Sequence, residues 1–182
     1  MACSVSLSGI TYNCTDLGIG GITRLSIVAK SEVDTVRTAS TLVLNEDTRI
    51  VTTAGVVANV ADYTFNLKDG FSAFNEVKTV NADGTTTTVP SITVEFPKMA
   101  ASTVTELNEL ATAGAELVAF VETAAGTYHL VGADYGLYAA TVDMSSGAAR
   151  GEKNRVQLTL TGEENGLAYS IDDSNDFNTI IG

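Results

Sequence analysis

A mainly β protein is what this sequence predicts: a sandwich or barrel with one flanking α-helix and one long β-hairpin. Three observations carry that expectation. Period-two alternation recurs along the chain, most clearly over residues 137–164, and successive strand residues point to opposite faces. Turn signals such as Asp69-Gly70 and Asp83-Gly84 break these runs at short intervals. One segment alone, 103–114, has the three-and-four apolar spacing of an amphipathic helix.

The first elements are modest. Residues 1–21 are small and glycine-rich and end in Gly18-Ile19-Gly20-Gly21. This reads as a turn and not as a phosphate cradle, because no helix opens after it and no Lys-Ser/Thr follows. Residues 22–30 read as a strand with Leu25, Ile27 and Ala29 on one side, and 31–37 as polar linker. Short β segments at 41–44 and 49–53 flank the turn Asn45-Glu46-Asp47, and 55–61 has no clear pattern. Residues 62–68 alternate, with Tyr63, Phe65 and Leu67 on one face. After the tight turn at Asp69-Gly70 come the hairpin arms, 71–80 and 85–96, with a bulge expected near Ala73-Phe74. Ile92, Val94 and Phe96 should point inward, while Thr85, Thr86, Thr87 and Thr88 make a polar tip that either lies in solvent or docks on another subunit. Pro90 and Pro97 suit strand edges or ends.

The second half is patterned more strongly. Thr103-Val104-Thr105-Glu106 reads as a capping box, followed by a stripe of Val104, Leu107, Leu110 and Ala111, with Gly114 placed to end the helix. Residues 115–122 are apolar on both faces, which predicts a central strand. With 127–131, 137–144 and 155–162 they form an expected four-stranded meander. On its last strand Val156, Leu158 and Leu160 alternate with Arg155, Gln157, Thr159 and Thr161. The two arms at 62–80 and 85–96 are then expected as one sheet and the meander as the other. The tail from 163 is acidic, ends in Ile180-Ile181, and could add a strand at Ala168-Tyr169-Ser170-Ile171.

Composition narrows the function. A length of 182 residues suits one domain with a real core. Hydrophobic residues make up 45% and charged residues 18%, a low charged share that fits a surface largely covered by neighbouring subunits; a Thr-rich β protein is the plainer reading. The net charge is -12, from 22 acidic and 10 basic residues. Phosphate contact needs Lys and Arg, so this balance argues against holding nucleic acid and leaves two readings: solubility by self-repulsion, or a wall past which DNA slides. Cys3 and Cys14 lack zinc spacing; a disulfide is possible but not required, and assembly inside a cell is expected. No signal-peptide pattern opens the chain, and no apolar run is long enough to span a bilayer.

Catalytic patterns are missing. His129 has no carboxylate beside it in sequence, and neither G-x-S-x-G nor C-x-x-C occurs. Asp172, Asp173 and Asp176 lack the spacing of a calcium loop. Glu163 and Glu164 are consecutive, so in a strand they face opposite ways and cannot share acid–base work. No enzyme, cofactor or metal is expected. Arg150, Lys153 and Arg155 are the one dense basic group, at and after the ten-residue loop SSGAARGEKN. They suit a contact with a neighbour's acidic surface, or simply a solvated loop.

The order of these segments carries a resemblance. It runs from the N-terminal cysteine and Gly-Gly-Ile strand through the long hairpin, Phe96-Pro97-Lys98-Met99, the helix TVTELNELATAG and the strand LVAFVE to YHLVGADYGLYAAT and SSGAARGEKNRVQLTLTGEE. The chain resembles the major tail (tail tube) proteins of tailed bacteriophages, best over 92–169. The resemblance implies a single tail-tube-like domain over 1–182, a β-sandwich or barrel flanked by one helix. It implies stacked, usually hexameric rings forming a hollow conduit for DNA, with strands of each subunit joined into an inner barrel and other tail proteins as partners. Residues 1–21 and the acidic arm 163–182 would be inter-subunit extensions. The subunit contacts would fall on Thr85–Thr88, Arg150, Lys153 and Arg155, and the protein would reside in the virion after assembly in the host cytoplasm. Alternatives of the same class are a capsid decoration protein, a head–tail connector protein, or the tube of a contractile injection device.

Overall fold

The computed structural model describes residues 4–7, 10–13, 20–53, 55–64, 72–97, 101–147, 152, 154–172 and 174–181. Cys3, Cys14, Asp69, Gly70, Arg150 and Lys153 lie outside these. The protein is mainly β. Strands β1 (Ser4–Leu7) and β2 (Ile10–Asn13) form a separate antiparallel pair. The other eleven strands make one open mixed sheet.

That sheet is built around β9 (Leu117–Thr123). Its sequence, LVAFVET, is apolar on both faces, and residues 117–121 are all buried, as the lack of alternation predicts. Along one edge β9 pairs with β3 (Ile22–Ala29) over its whole length. β6 (Ala61–Thr64) continues beyond β3. Along the other edge runs β10 (Tyr128–Val131). β13 (Tyr169–Ile171), β5 (Ile50–Thr53) and β4 (Val43–Asn45) follow outward from β10, with β13 parallel to β5.

The meander is not continuous. Leu117 pairs with Ala29 and with Leu137. A strand residue has two edges, so Leu137 takes the edge that β10 occupies further along. The chain leaves that edge at Gly132 and returns at Leu137, with Gly132 and Gly136 at φ 84° and 89°, a region open to glycine. From there β11 (Leu137–Ser145) departs to pair with β12 (Arg155–Gly162). β12 pairs with β8 (Thr86–Pro97), and β8 with β7 (Ser72–Val80). The long hairpin therefore joins the second half of the expected meander and is not a sheet of its own. Its register runs unbroken from Ser72 to Val80, so the bulge expected near Ala73-Phe74 is absent; one lies instead between Ala139 and Thr141 on β11.

Two cores result. In the first, Leu25 and Ile27 of β3 and Ala119 and Val121 of β9 meet Ile92 and Val94 of β8 and Val156, Leu158 and Leu160 of β12. Phe74 of β7 reaches across to His129 of β10, ring centroids 5.6 Å apart. Helix α2 (Ala101–Ala113) packs Leu107, Val104 and Leu110 against this core. It begins two residues before Thr103, so the capping box lies inside the helix, and it ends as expected at Gly114, φ 57°.

The second core lies on the opposite face of β9, where Val118 and Phe120 meet Tyr169, Ile171, Phe177 and Ile180. Two helices unforeseen from the sequence close it. α1 (Lys30–Thr38) replaces the expected linker. It is mostly polar but buries Val33 fully and packs Val36, and Lys30 binds Asp34 one turn on at 2.7 Å. α3 (Ser174–Ile181) buries Phe177 and Ile180. The C-terminal segment expected as an arm on a neighbour thus folds onto its own chain, and among the described residues three helices accompany the sheet where one was expected.

Candidate assembly surface and a buried polar hub

Strands β7, β8, β12 and β11 form a four-stranded wall. Val156, Leu158 and Leu160 of β12 are buried inward, so alternation turns Arg155, Gln157, Thr159 and Thr161 outward. The register sets Thr159 beside Thr93 of β8 and Thr141 of β11, and Gln157 beside Glu95 and Asp143. The outward face therefore carries Thr and Gln together with Arg155, Glu95 and Asp143. Within it, the Arg155 guanidinium binds the Glu95 carboxylate at 2.9 Å.

Both flanks of the wall are long, and among the described residues both are open. β7 pairs with β8 alone, and β11 pairs beyond β12 only through Leu137. All three internal pairings are antiparallel, so β11 runs opposite to β7. Apolar side chains sit along these flanks. Val77 pairs with Val89 across the hairpin, and both are exposed; Tyr138 and Met144 on β11 are 54% and 56% exposed. The sequence alternation of β11 suggests a buried face, but from Tyr138 to Met144 little of it is covered.

The anticipated contact residues separate. Asp83 Oδ1 accepts from the Thr85 amide at 3.0 Å and its hydroxyl at 2.6 Å, and the Asn81 amide donates to the Thr85 hydroxyl at 2.9 Å. These bonds hold the Asp83 carboxyl below the usual range, the Thr85 hydroxyl first among them. Thr86 is exposed and Thr87 half-buried. Thr88 is fully buried and exchanges two backbone hydrogen bonds with Glu164, at 3.1 and 2.8 Å. The four threonines therefore do not form one tip: the turn ends at Thr85 and Thr88 belongs to the interior. Arg155 lies on the wall. His129 is half-buried, its Nε2 3.1 Å from the Thr127 hydroxyl, and burial lowers its pKa. Among the described residues no group of three His, Cys, Asp or Glu could hold a metal ion, and no helix is long and apolar enough to cross a membrane.

Behind the wall lies a polar hub that the sequence reading missed. The turn 45–49 creates it. Asn45 Oδ1 accepts from the Asp47 and Thr48 amides at 3.1 and 3.0 Å, an Asx turn, and Arg49 follows at φ 55°. This places the Arg49 guanidinium over the Tyr169 ring, 4.0 Å from its centroid. Arg49 Nε donates to Leu167 O at 2.6 Å, and Nη1 to Asp134 Oδ2 at 3.0 Å. The Tyr169 hydroxyl donates to the other Asp134 oxygen at 3.1 Å. Burial raises the Tyr169 pKa to about 12, with Asp134 adding to the rise.

Glu164 completes the hub. It is 4% exposed and accepts from the Asp134 and Tyr135 amides at 3.0 and 3.3 Å. Burial, reinforced by Asp134, pushes its carboxyl up to about 7. Glu76 of β7 accepts from the Ala168 amide at 2.9 Å and is raised by burial as well. A cavity of about 420 Å³ lies beside the hub, lined by Glu46, Asp47, Arg49, Lys78, Asp134 and Asn165 among others. Glu163 is exposed where Glu164 is buried, as consecutive residues should be; Glu164 instead meets the backbone of Asp134, thirty positions earlier, and no local spacing signals that contact. The sequence matches no family model, and comparison with curated proteins and with solved structures finds no match.

Proposed function

We propose that this chain is a self-assembling structural subunit of a bacteriophage tail tube, forming stacked hexameric rings around a conduit for DNA. One observation carries the reading: the four-stranded wall with two long open flanks. An even number of antiparallel strands gives β11 and β7 opposite directions. The β11 flank of one copy can therefore continue into the β7 flank of the next with antiparallel pairing maintained, and a head-to-tail contact of this kind closes into a ring. Pairing would also satisfy edges that otherwise invite aggregation. The wall's outward polar face would line the lumen, and the net charge of -12 would keep passing DNA unbound. The two halves of the sheet that meet across the first core would form the sandwich of such a subunit. The hub serves here as a structural bolt and the chain is not an enzyme. Other tail proteins would be its partners in the virion, after assembly in the host cytoplasm.

Electron microscopy of the purified chain tests this. Rings or tubes with sixfold symmetry are expected, and a protein that stays monomeric at high concentration would sink the proposal. Labelling of virions separates a tube from a capsid decoration or connector: label along the tail is expected, and label on the head alone counts against it.

A further inference from the structure

The Asp134 and Glu164 carboxyls join three parts of the chain at one buried point. Glu164 holds the amides of Asp134 and Tyr135 in the 132–136 excursion, so its carboxyl is buried against the Asp134 backbone. The main chain of Glu164 is bonded twice to Thr88. Thr88 is the root of the hairpin end: residues 77–86 beyond it are exposed, while Thr88 itself is buried. On the β7 side, Glu76 fixes the same root by accepting from Ala168.

The charged groups around the pair do not relieve it equally. Arg49 and the Tyr169 hydroxyl both bind Asp134. Glu76 and Lys78 stand on β7, Glu46 and Asp47 in the turn before β5, and Glu163 adjoins in the chain. Arg49 is bound to Asp134, and no ion pair to Glu164 is formed among the described residues. A carboxyl this buried, with Asp134 adding to the effect of burial, resists being charged.

We propose that the Glu164 carboxyl, buried against Asp134, is a proton-operated latch on the root of the β7–β8 hairpin. With the Glu164 carboxyl protonated, the Thr88–Glu164 bridge is held. When that proton leaves to water, a buried carboxylate stands at Glu164 with no ion pair of its own among the described residues, and the root opens to let solvent reach it. The latch belongs to the single chain and stands whether or not copies assemble.

Hydrogen exchange on the full chain tests it, with rates corrected for the intrinsic effect of pH. Protection of the Thr88, Asp134, Tyr135 and Glu164 amides should fall about tenfold from about pH 6 to about pH 8, the change expected for a group that titrates near 7 when closed and near 4.5 when open. Amides of β9 should not follow. E164Q removes the titrating group and keeps one acceptor oxygen for the two amides, so the protection that it retains should be the same at both values. Equal loss in E164Q, or no selective loss in the wild type, overturns the latch. Should E164Q not fold, NMR titration of Glu164 in the wild-type chain decides. A midpoint that coincides with the loss of protection supports the latch, and an ordinary carboxylate midpoint overturns it.

Discussion

Leu137 pairs with Leu117 on β9 and with Gly162 on β12, and so stands where the sheet passes from its central part to the wall. The corner has no spare room. A Cβ on Gly162 would overlap the carbonyl oxygen of Gly136 and lie 3.1 Å from a Leu137 methyl. Gly162→Ala should therefore destabilise the protein by about 2 kcal/mol, the scale of an overpacked site. Urea denaturation measures this; an unchanged midpoint would mean that the backbone at the corner yields freely.

Arg49 is the cation that neutralises the hub. Its side chain and that of Asp134 are 18% and 9% exposed, so the pair is well removed from water. Arg49→Ala should cost about 3–5 kcal/mol by leaving Asp134 without its partner. Arg49→Lys should recover little, since an ammonium group loses the stack on Tyr169 and the bond to Leu167 O. Thermal unfolding of the two variants checks both statements.

Stability should depend on pH through Glu164. Its folded pKa, about 7, lies above the ordinary 4.5, so between those values the folded chain holds a proton that the unfolded chain has lost. The contribution is complete below about 4.5 and disappears as pH rises through 7. Glu76 is shifted in the same direction. Compared with wild type, E164Q should gain relative stability from pH 5 to pH 8, by at most about 3 kcal/mol. Denaturation curves of both proteins at the two pH values give the difference, and a constant gap would refute the shift.

Lysine at the open flanks should separate folding from assembly. Val77 and Met144 are 53% and 56% exposed, so Val77→Lys and Met144→Lys should change stability by no more than about 0.5 kcal/mol. Charge on an open strand blocks pairing between copies. Folded monomers on size exclusion, with no rings by microscopy, are the expected result; normal tubes from both variants would remove these flanks from the assembly surface.

Local chemistry made much of the fold legible. Alternation in β12, the double-sided apolar run of β9, the long hairpin and the glycine that ends α2 could all be read directly, because each depends on neighbours within a few residues. α1 could not. With Val33 and Val36 as its only apolar residues in KSEVDTVRT, it looks like linker until the second core supplies something for Val33 to pack against. The C-terminal segment misled for the opposite reason: its charge suggested a solvated arm, but Tyr169, Phe177 and Ile180 fill the second core.

The sequence by itself determined that this is a mainly β protein with a strongly acidic balance and a wall strand whose outer face is Arg155, Gln157, Thr159 and Thr161. Tertiary structure alone decided which strands share an edge, that β11 leaves β9 at Leu137, and that Arg49, Glu76, Asp134, Glu164 and Tyr169 converge. Strand identity is set by side-chain period, a local property. Pairing across dozens of residues depends on which apolar faces can be buried together, and the hub exists only because that burial brings three distant turns to one place.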